Sequence, residues 1–453
     1  MKISRLTWKS FIYIEPVLLL YSCGFFMSLP VQKQFIYSRY SEEVGFPYSL
    51  DSKGKGSCSN VNDAAQNETL KLLETKVQEL ASGFDRLVIP CTFLPATVMG
   101  LFIGPWTDSV GRKPALLIST FGAVLESLIV IGVMYFRWSL HLLIVGKLLN
   151  ALSGFFTLLG QASFNYVIDM TDKSLLSTRL AALQLVIFIG GFLGQTFSGV
   201  LMSSFGFILP YVGMSFCFIS SFTYCLLVVP ESRQTSSKQD TSLFNVHSLK
   251  RVINVFTSPR PSHQKRNLII LIAIDSLFFS LTKGGVMNIV VLYLIKSPLC
   301  FSSTGLGAFF GFKFASEGLV GIAGVIVLRK VLCEENVFRA GFVSTGLAFF
   351  WLAYVQTQNM VFLVPIISSI SGIVMPLVKG AISTLVKQEE QGATNTAVGV
   401  LESLALVVGS WIFNTLYIIA SEAKCTYMVF VVLGAVSLTP IFMISALQKL
   451  KEE

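Results

Sequence analysis

Among the ionisable side chains that interrupt the apolar stretches of this 453-residue chain, nine are candidates for chemistry: Lys147, Lys283, Lys313 and Lys379, and Glu15, Glu126, Asp275, Glu317 and Glu402. A charge at the centre of a membrane helix costs about 2.5–3.5 kcal/mol on insertion scales, so such residues are usually functional or paired. Lysines in a water-filled cavity make it electropositive and favour a carboxylate, sulfate or phosphate. Lys147 and Lys379 are the expected anion-binding groups, with Lys283 beside them. Carboxylates can carry a proton; the candidates are Glu126 first, then Asp275 and Glu402. Lys313 and Glu317 lie one helical turn apart, which predicts an internal ion pair. Gln184 can hydrogen-bond a substrate but cannot titrate. The three histidines, His141, His247 and His263, have no metal-ligand spacing. There is no phosphate-binding glycine loop and no Gly-x-Ser-x-Gly nucleophile. The sequence thus calls for no cofactor and no metal, and an enzyme reading is poor.

The elements that must hold these groups are membrane helices. Apolar residues make up 53% of the chain and charged residues 13%, with a mean hydropathy of +0.69 and 38 Phe; soluble domains carry about 25% charged residues. Apolar runs of spanning length fall near 11–29, 84–106, 114–136, 140–168, 176–204, 207–229, 268–295, 305–328, 337–356, 360–386, 393–420 and 426–447. No alternating barrel pattern appears, and only helices satisfy their backbone within one span. The reading is an all-α membrane protein of twelve spans. An N-terminal six-helix bundle covers 1–229, with an outer loop at 30–83; a cytoplasmic linker covers 230–267, and a C-terminal six-helix bundle 268–453. Lys and Arg gather at the N-terminus, in the 230–267 linker and on the same-side loops, which places both termini in the cytosol. The net charge of +9 is accounted for by those loops, and no segment is large enough for a nucleic-acid module. Glu15 breaks the first apolar run and no convincing cleavage site follows, which disfavours a signal peptide.

The sequon Asn67-Glu68-Thr69 falls on the outer side and is the expected glycosylation site. Leu70, Leu72, Leu73, Val77 and Leu80 predict a short amphipathic helix leading into the second span. Cys58, Cys300 and Cys425 fall on the oxidising side; by spacing alone, Cys58 can pair with either of the others. Gly190, Gly191, Gly194, Ser198 and Gly199 form a small-residue face suited to close helix packing, and Gly284-Gly285 permits bending near Lys283.

The loop Gly104-Pro-Trp-Thr-Asp108-Ser-Val-Gly111-Arg112-Lys113-Pro114 resembles the turn between the second and third helices of the major facilitator superfamily. Asp108 and Arg112, with Asp169 after the fourth span, are the expected gate. Further segments are Ile14-Glu15-Pro16, Gly56-Ser-Cys58-Ser-Asn60, Leu292-Tyr293, Ser297-Pro298-Leu299-Cys300, Glu390-Gln391-Gly392 and Phe413-Asn414-Thr415-Leu416-Tyr417. Together they are similar to the solute carrier family of the proton-coupled folate transporter, the thymic stromal cotransporter and a lysosomal steroid-conjugate carrier. Val400-Leu401-Glu402-Ser403-Leu404 leans towards the last. The resemblance implies two six-helix bundles around a cavity open alternately to each side, with proton-coupled symport of small organic anions of the folate, steroid-conjugate or muramyl-peptide kind. It also implies a Cys58–Cys300 disulfide and an endolysosomal or plasma membrane. Lys147 and Lys379 stand where the folate transporter has arginines, and Lys283 where it has a histidine. Gln184 stands where the family has a carboxylate tied to coupling. Coupling then passes to Glu126, Asp275 or Glu402, or is weak, or the substrate brings the proton. The alternative is a non-transporting receptor or scaffold with a transporter's fold.

Overall fold

A computed structural model describes residues 13–48, 68–171, 176–232, 263–296, 298–385 and 388–452. The order is α1 (Glu15–Val44), α2 (Glu68–Val110), α3 (Lys113–Tyr135), α4 (Leu142–Leu152), α5 (Phe155–Met170), α6 (Leu176–Phe205) and α7 (Ile208–Leu227). After the linker come α8 (His263–Ile295), α9 (Ser303–Val331), α10 (Glu334–Tyr354), α11 (Gln358–Val361), α12 (Leu363–Ile367), a 3-10 turn (Ser369–Ile373), α13 (Val374–Leu385), α14 (Gln388–Glu422) and α15 (Tyr427–Glu452). Among the described residues, nine helical stretches are long and apolar enough to cross a bilayer. One is α4 and α5 taken together, Leu142–Met170.

Two faces follow from the connections. The proximal face carries the 111–112 and 332–333 turns, the C-terminal ends of α5, α7 and α13 and the N-terminal ends of α6, α8 and α14. The distal face carries the C-terminal end of α1, the N-terminal end of α2 and the 136–141, 206–207, 298–302, 355–357 and 423–426 connections. Along the seam between the halves, α6 lies against α9 and α2 against α14. The seam is tight because small residues line it. A Cβ on Gly199 would collide with the Ser303 carbonyl and Gly307, one on Gly307 with the Gln195 carbonyl, and one on Gly311 with Thr196. The small-residue face expected on the fifth span therefore packs across the seam at Gly199. Gly190 and Gly194 face α1 instead, where Ser22 and the Cys23 carbonyl leave no room for a methyl group.

The expected outer loop 30–83 is corrected. Residues 30–44 complete α1, and 68–83 form the first turns of α2. The polar letters misled the reading: Gln32, Gln34 and Ser41 are buried together with Val31, Phe35, Ile36 and Tyr37. Hydropathy counts polar residues as loop, but this face packs against protein. The short amphipathic helix at 70–80 is continuous with the second span, in one helix of 43 residues. The linker is likewise shorter than 230–267, because α8 begins at His263.

Two spans are broken. The fourth splits at Ser153-Gly154, where Gly154 takes a left-handed backbone (φ +87°). The tenth passes through α11, α12, a 3-10 turn and α13. These are corresponding positions in the two halves, which is where interrupted helices point to a substrate site.

Candidate substrate and proton site

Each broken span lies beside a cluster of buried charge. In the N-terminal half, Lys147 on α4 reaches Glu126 on α3 (Nζ–Oε1 2.5 Å), and both side chains are only 8% exposed. Asn150, one turn after Lys147, donates from Nδ2 to Glu126 Oε2. α4 lies against α3 here, with Glu126 Cγ and its carbonyl both 3.6 Å from where a methyl group on Gly146 would stand, an ordinary packing distance. The α1 and α7 tyrosines Tyr21 and Tyr211 are fully buried within electrostatic reach of Glu126. A second pair, Lys33 on α1 with Asp85 on α2, lies on the distal side, and Lys33 also feels the Lys147 ammonium. The N-terminal cluster thus holds two cations and two carboxylates.

In the C-terminal half, Lys313 contacts Glu317 one turn on along α9. Ser371, in the 3-10 turn of the broken tenth span, donates to Glu317 Oε1 at 3.3 Å. Lys283 on α8 stands over the Phe279 ring, 5.1 Å from its centroid, and feels both Glu317 and Lys313. This cluster has two cations and one carboxylate, so its formal charge is +1.

Aromatic rings separate the clusters. Phe314, next to Lys313, packs on Phe26 of α1 (4.4 Å between centroids) and Phe188 of α6 (6.4 Å). Gly191 leaves space for that ring. On the proximal side lies a crevice between α2, α5 and α14, lined by neutral groups that include Thr97, Thr157, Gln161 and Ser403.

Hydrogen bonds join the halves on the distal side. Ser82 of α2 donates to Asn414 Oδ1 of α14 (3.1 Å), and Arg86 Nη1 to Thr415 Oγ1 (3.5 Å). Tyr417 donates to Gln78 Oε1 (2.9 Å), and Ser303 of α9 to Gln34 Oε1 of α1 (2.7 Å). Within the C-terminal half, Lys296, in the turn after α8, donates to Ser421 of α14 at 3.2 Å. Burial holds its ammonium pKa below the ordinary lysine value, and Glu74 of α2 opposes that shift. At the proximal face, Arg112 Nε donates to Asp169 Oδ2 (3.0 Å) and Nη1 to Thr107 (2.7 Å). Glu231, just after the last N-terminal span, accepts from the Arg112 amide at 2.7 Å and the Lys113 amide at 3.2 Å. A carboxylate thus sits at the positive end of α3. Arg179 bridges to Glu15 (3.1 Å) and donates to Thr171 (3.0 Å).

The expected residues fall into three groups. Brought into clusters are Lys147 with Glu126, Lys313 with Glu317, Lys283, and Arg112 with Asp169. Glu126 holds Lys147, so the residue expected to bind the anion and the one expected to carry the proton meet in one pair. Outside these clusters are Asp275, buried on α8 with Oδ1 lacking a hydrogen-bond partner, and Gln184, half-buried on α6; Glu402 is half-buried on α14 next to the crevice residue Ser403. The side chains of Asp108 and Lys379 lie outside the description, although both residues are helical. Cys58 and Asn67 lie outside the described residues. Cys300 is disulfide-bonded and Cys425 is a free thiol, which removes the Cys58–Cys425 alternative. The residues missed were Lys33, Asp85, Asn150, Ser371 and Glu231. Lys33 was hidden by the loop assignment, whereas Asp85 is the second residue of the expected span 84–106 and was readable there. Asn150, three residues after Lys147 in an apolar run, was a readable signal.

Two helical halves with small-residue seams, paired broken spans and buried charge define a membrane transporter. The Major Facilitator Superfamily profile matches residues 78–410, and the chain belongs to that family. It is 25% identical over 406 residues to the proton-coupled folate transporter of Bos taurus, covering 89% of this chain and 85% of that one. It is 24% identical over 414 residues to the lysosomal proton-coupled steroid conjugate and bile acid symporter SLC46A3 of Gallus gallus, covering 90% and 88%. Among solved structures, the human organic anion transporter MFSD10 (TETRAN) superposes with a TM-score of 0.65 at 15% identity, covering 97% of this chain and all of that one. The fold is therefore the major facilitator fold, and the protein is a transporter, not an enzyme.

Proposed function

We propose that this protein is a proton-coupled symporter of small organic anions that works by alternating access, here with its distal side closed. The single observation that carries the reading is the charge arrangement. The C-terminal cluster has one cation in excess beside Glu317, and the N-terminal lysine Lys147 is held by a carboxylate. In this reading Lys283 and Lys313 attract the anion. An anionic group that takes Lys147 displaces Glu126, leaving a buried carboxylate without its partner. Such a charge is expensive, and a proton from the distal side neutralises it. Anion binding and proton uptake thereby favour one another, and Gln184 need not titrate. Glu402 and Asp275 are kept as secondary proton sites, and Lys379 as a further anion-binding group. The names of the relatives support proton coupling and organic anions, with steroid conjugates and folates the first compounds to test.

The distal hydrogen bonds support a state closed on that side, with the neutral crevice as the proximal path. Arg112, Asp169 and Asp108 are assigned to the proximal gate. The proximal face is taken as cytosolic from the Lys and Arg distribution, and Cys58 as the partner of Cys300. The two bundles and their linker are taken as the moving units. Uptake into proteoliposomes with and without an inward proton gradient tests the reading. Gradient-driven accumulation of an anion is expected. Saturable anion binding with no flux in either condition would instead favour the receptor alternative.

A further inference from the structure

We propose that Asp85, held by Lys33, is a second proton-accepting site of this transporter, tied to the distal closure; the proposal rests on the symport reading above. Three observations carry it. First, the pair is built into the protein interior: Asp85 is 1% exposed and Lys33 13%, bridging α1 and α2. Second, the pair is incomplete. Asp85 Oδ2 is buried without a hydrogen-bond partner, whereas a purely structural buried pair is stable only when its remaining acceptors are also satisfied. Third, Asp85 lies between the residues that close the distal side. Ser82 and Arg86, in the same helical turn, bond to Asn414 and Thr415 across the seam. The ionisable groups facing Asp85 are Lys33 and Tyr40 from α1, with Lys147 of α4 acting on Lys33. From α14 the seam brings an amide and a hydroxyl, Asn414 and Thr415.

The charge balance gives the mechanism. As drawn, the four-residue N-terminal cluster is neutral. A proton on Asp85 leaves Lys33 unpaired and the cluster at +1, beside Lys147. That excess draws one anionic group into the N-terminal half, and the proton and anion enter together. With Glu126 as the first acceptor, the cluster has room for two protons against two negative charges. Release of the Asp85 proton on the proximal side re-forms the pair and returns the cluster to neutrality.

Asp85→Asn mimics the protonated state. In proteoliposomes it should lose gradient-driven accumulation, about tenfold or more in initial rate, with anion-for-anion exchange reduced less than accumulation. Asp85→Glu, which keeps the acid, should retain the gradient response. Accumulation by Asp85→Asn equal to the parent would overturn the proposal. If the single variant is poorly folded, Lys33→Met/Asp85→Leu decides, since it removes the pair without stranding a charge. Retained gradient-driven uptake would make the pair structural and overturn the proposal; exchange without accumulation would support it. Absence of both exchange and accumulation in the unaltered protein would instead count against the symport reading itself.

Discussion

At the residue scale, the informative unit is the pair. Lys147 and Glu126 were legible singly, as a cation and a carboxylate in apolar runs, but not as partners, because helix-to-helix register is not written in either stretch. Removing one member of a buried pair strands the other, so Lys147→Met should destabilise the protein by about 3–5 kcal/mol. Lys147→Met/Glu126→Leu should recover most of that loss, and thermal unfolding in detergent checks both. Lys313 and Glu317 were legible because a spacing of four residues on one helix needs no tertiary information. In the proposed reading Lys283 lies in the anion's path. Lys283→Gln should raise the KM for anion uptake about tenfold, equivalent to about 1.4 kcal/mol, with a smaller change in maximal rate. An unchanged KM would remove Lys283 from the site.

At the element scale, the seams depend on glycine. Gly199 and Gly307 bring α6 and α9 together at backbone contact, and the sequence showed the first of them as part of a small-residue face. Its partner on α9 had no such run to announce it. Gly199→Val should hold the distal side ajar, so a reporter cysteine at Ser303 should label faster with a membrane-impermeant thiol reagent added on the distal side. Labelling unchanged from the Ser303→Cys parent would contradict the seam's role. Gly409 contacts the Leu281 carbonyl between α14 and α8. Gly409→Ala should cost about 1–3 kcal/mol by overpacking, read as a lower unfolding temperature. The apolar runs match the nine span-length helices found among the described residues, yet missed the distal extensions of α1 and α2. Those turns are amphipathic, and their polar face is buried by neighbouring helices instead of lipid. The breaks in the fourth and tenth spans were equally hidden, since Ser153-Gly154 lies in an unbroken apolar run.

At the scale of the whole molecule, charge is sorted by half. The N-terminal cluster is neutral and the C-terminal cluster carries +1, separated by the Phe314 contacts and closed on the distal side by α2 with α14 and α6 with α9. Opening that side must break Ser82–Asn414 and Ser303–Gln34 while Arg112–Asp169 and the Glu231 contacts organise the other face. Arg112→Ala should slow exchange more than it weakens binding, because Arg112 touches the gate and not the anion clusters; flux measured beside equilibrium binding separates the two. Glu126→Gln provides the complementary case. It removes the first proton acceptor but leaves Lys147 in place, so anion exchange should persist without gradient-driven accumulation. The most direct test of proton-coupled anion symport is sulfated-steroid or folate uptake by purified protein in proteoliposomes under an inward proton gradient. The account predicts accumulation above equilibrium that a protonophore abolishes. Uptake that reaches equilibrium and no further, indifferent to the gradient and to the protonophore, would contradict it.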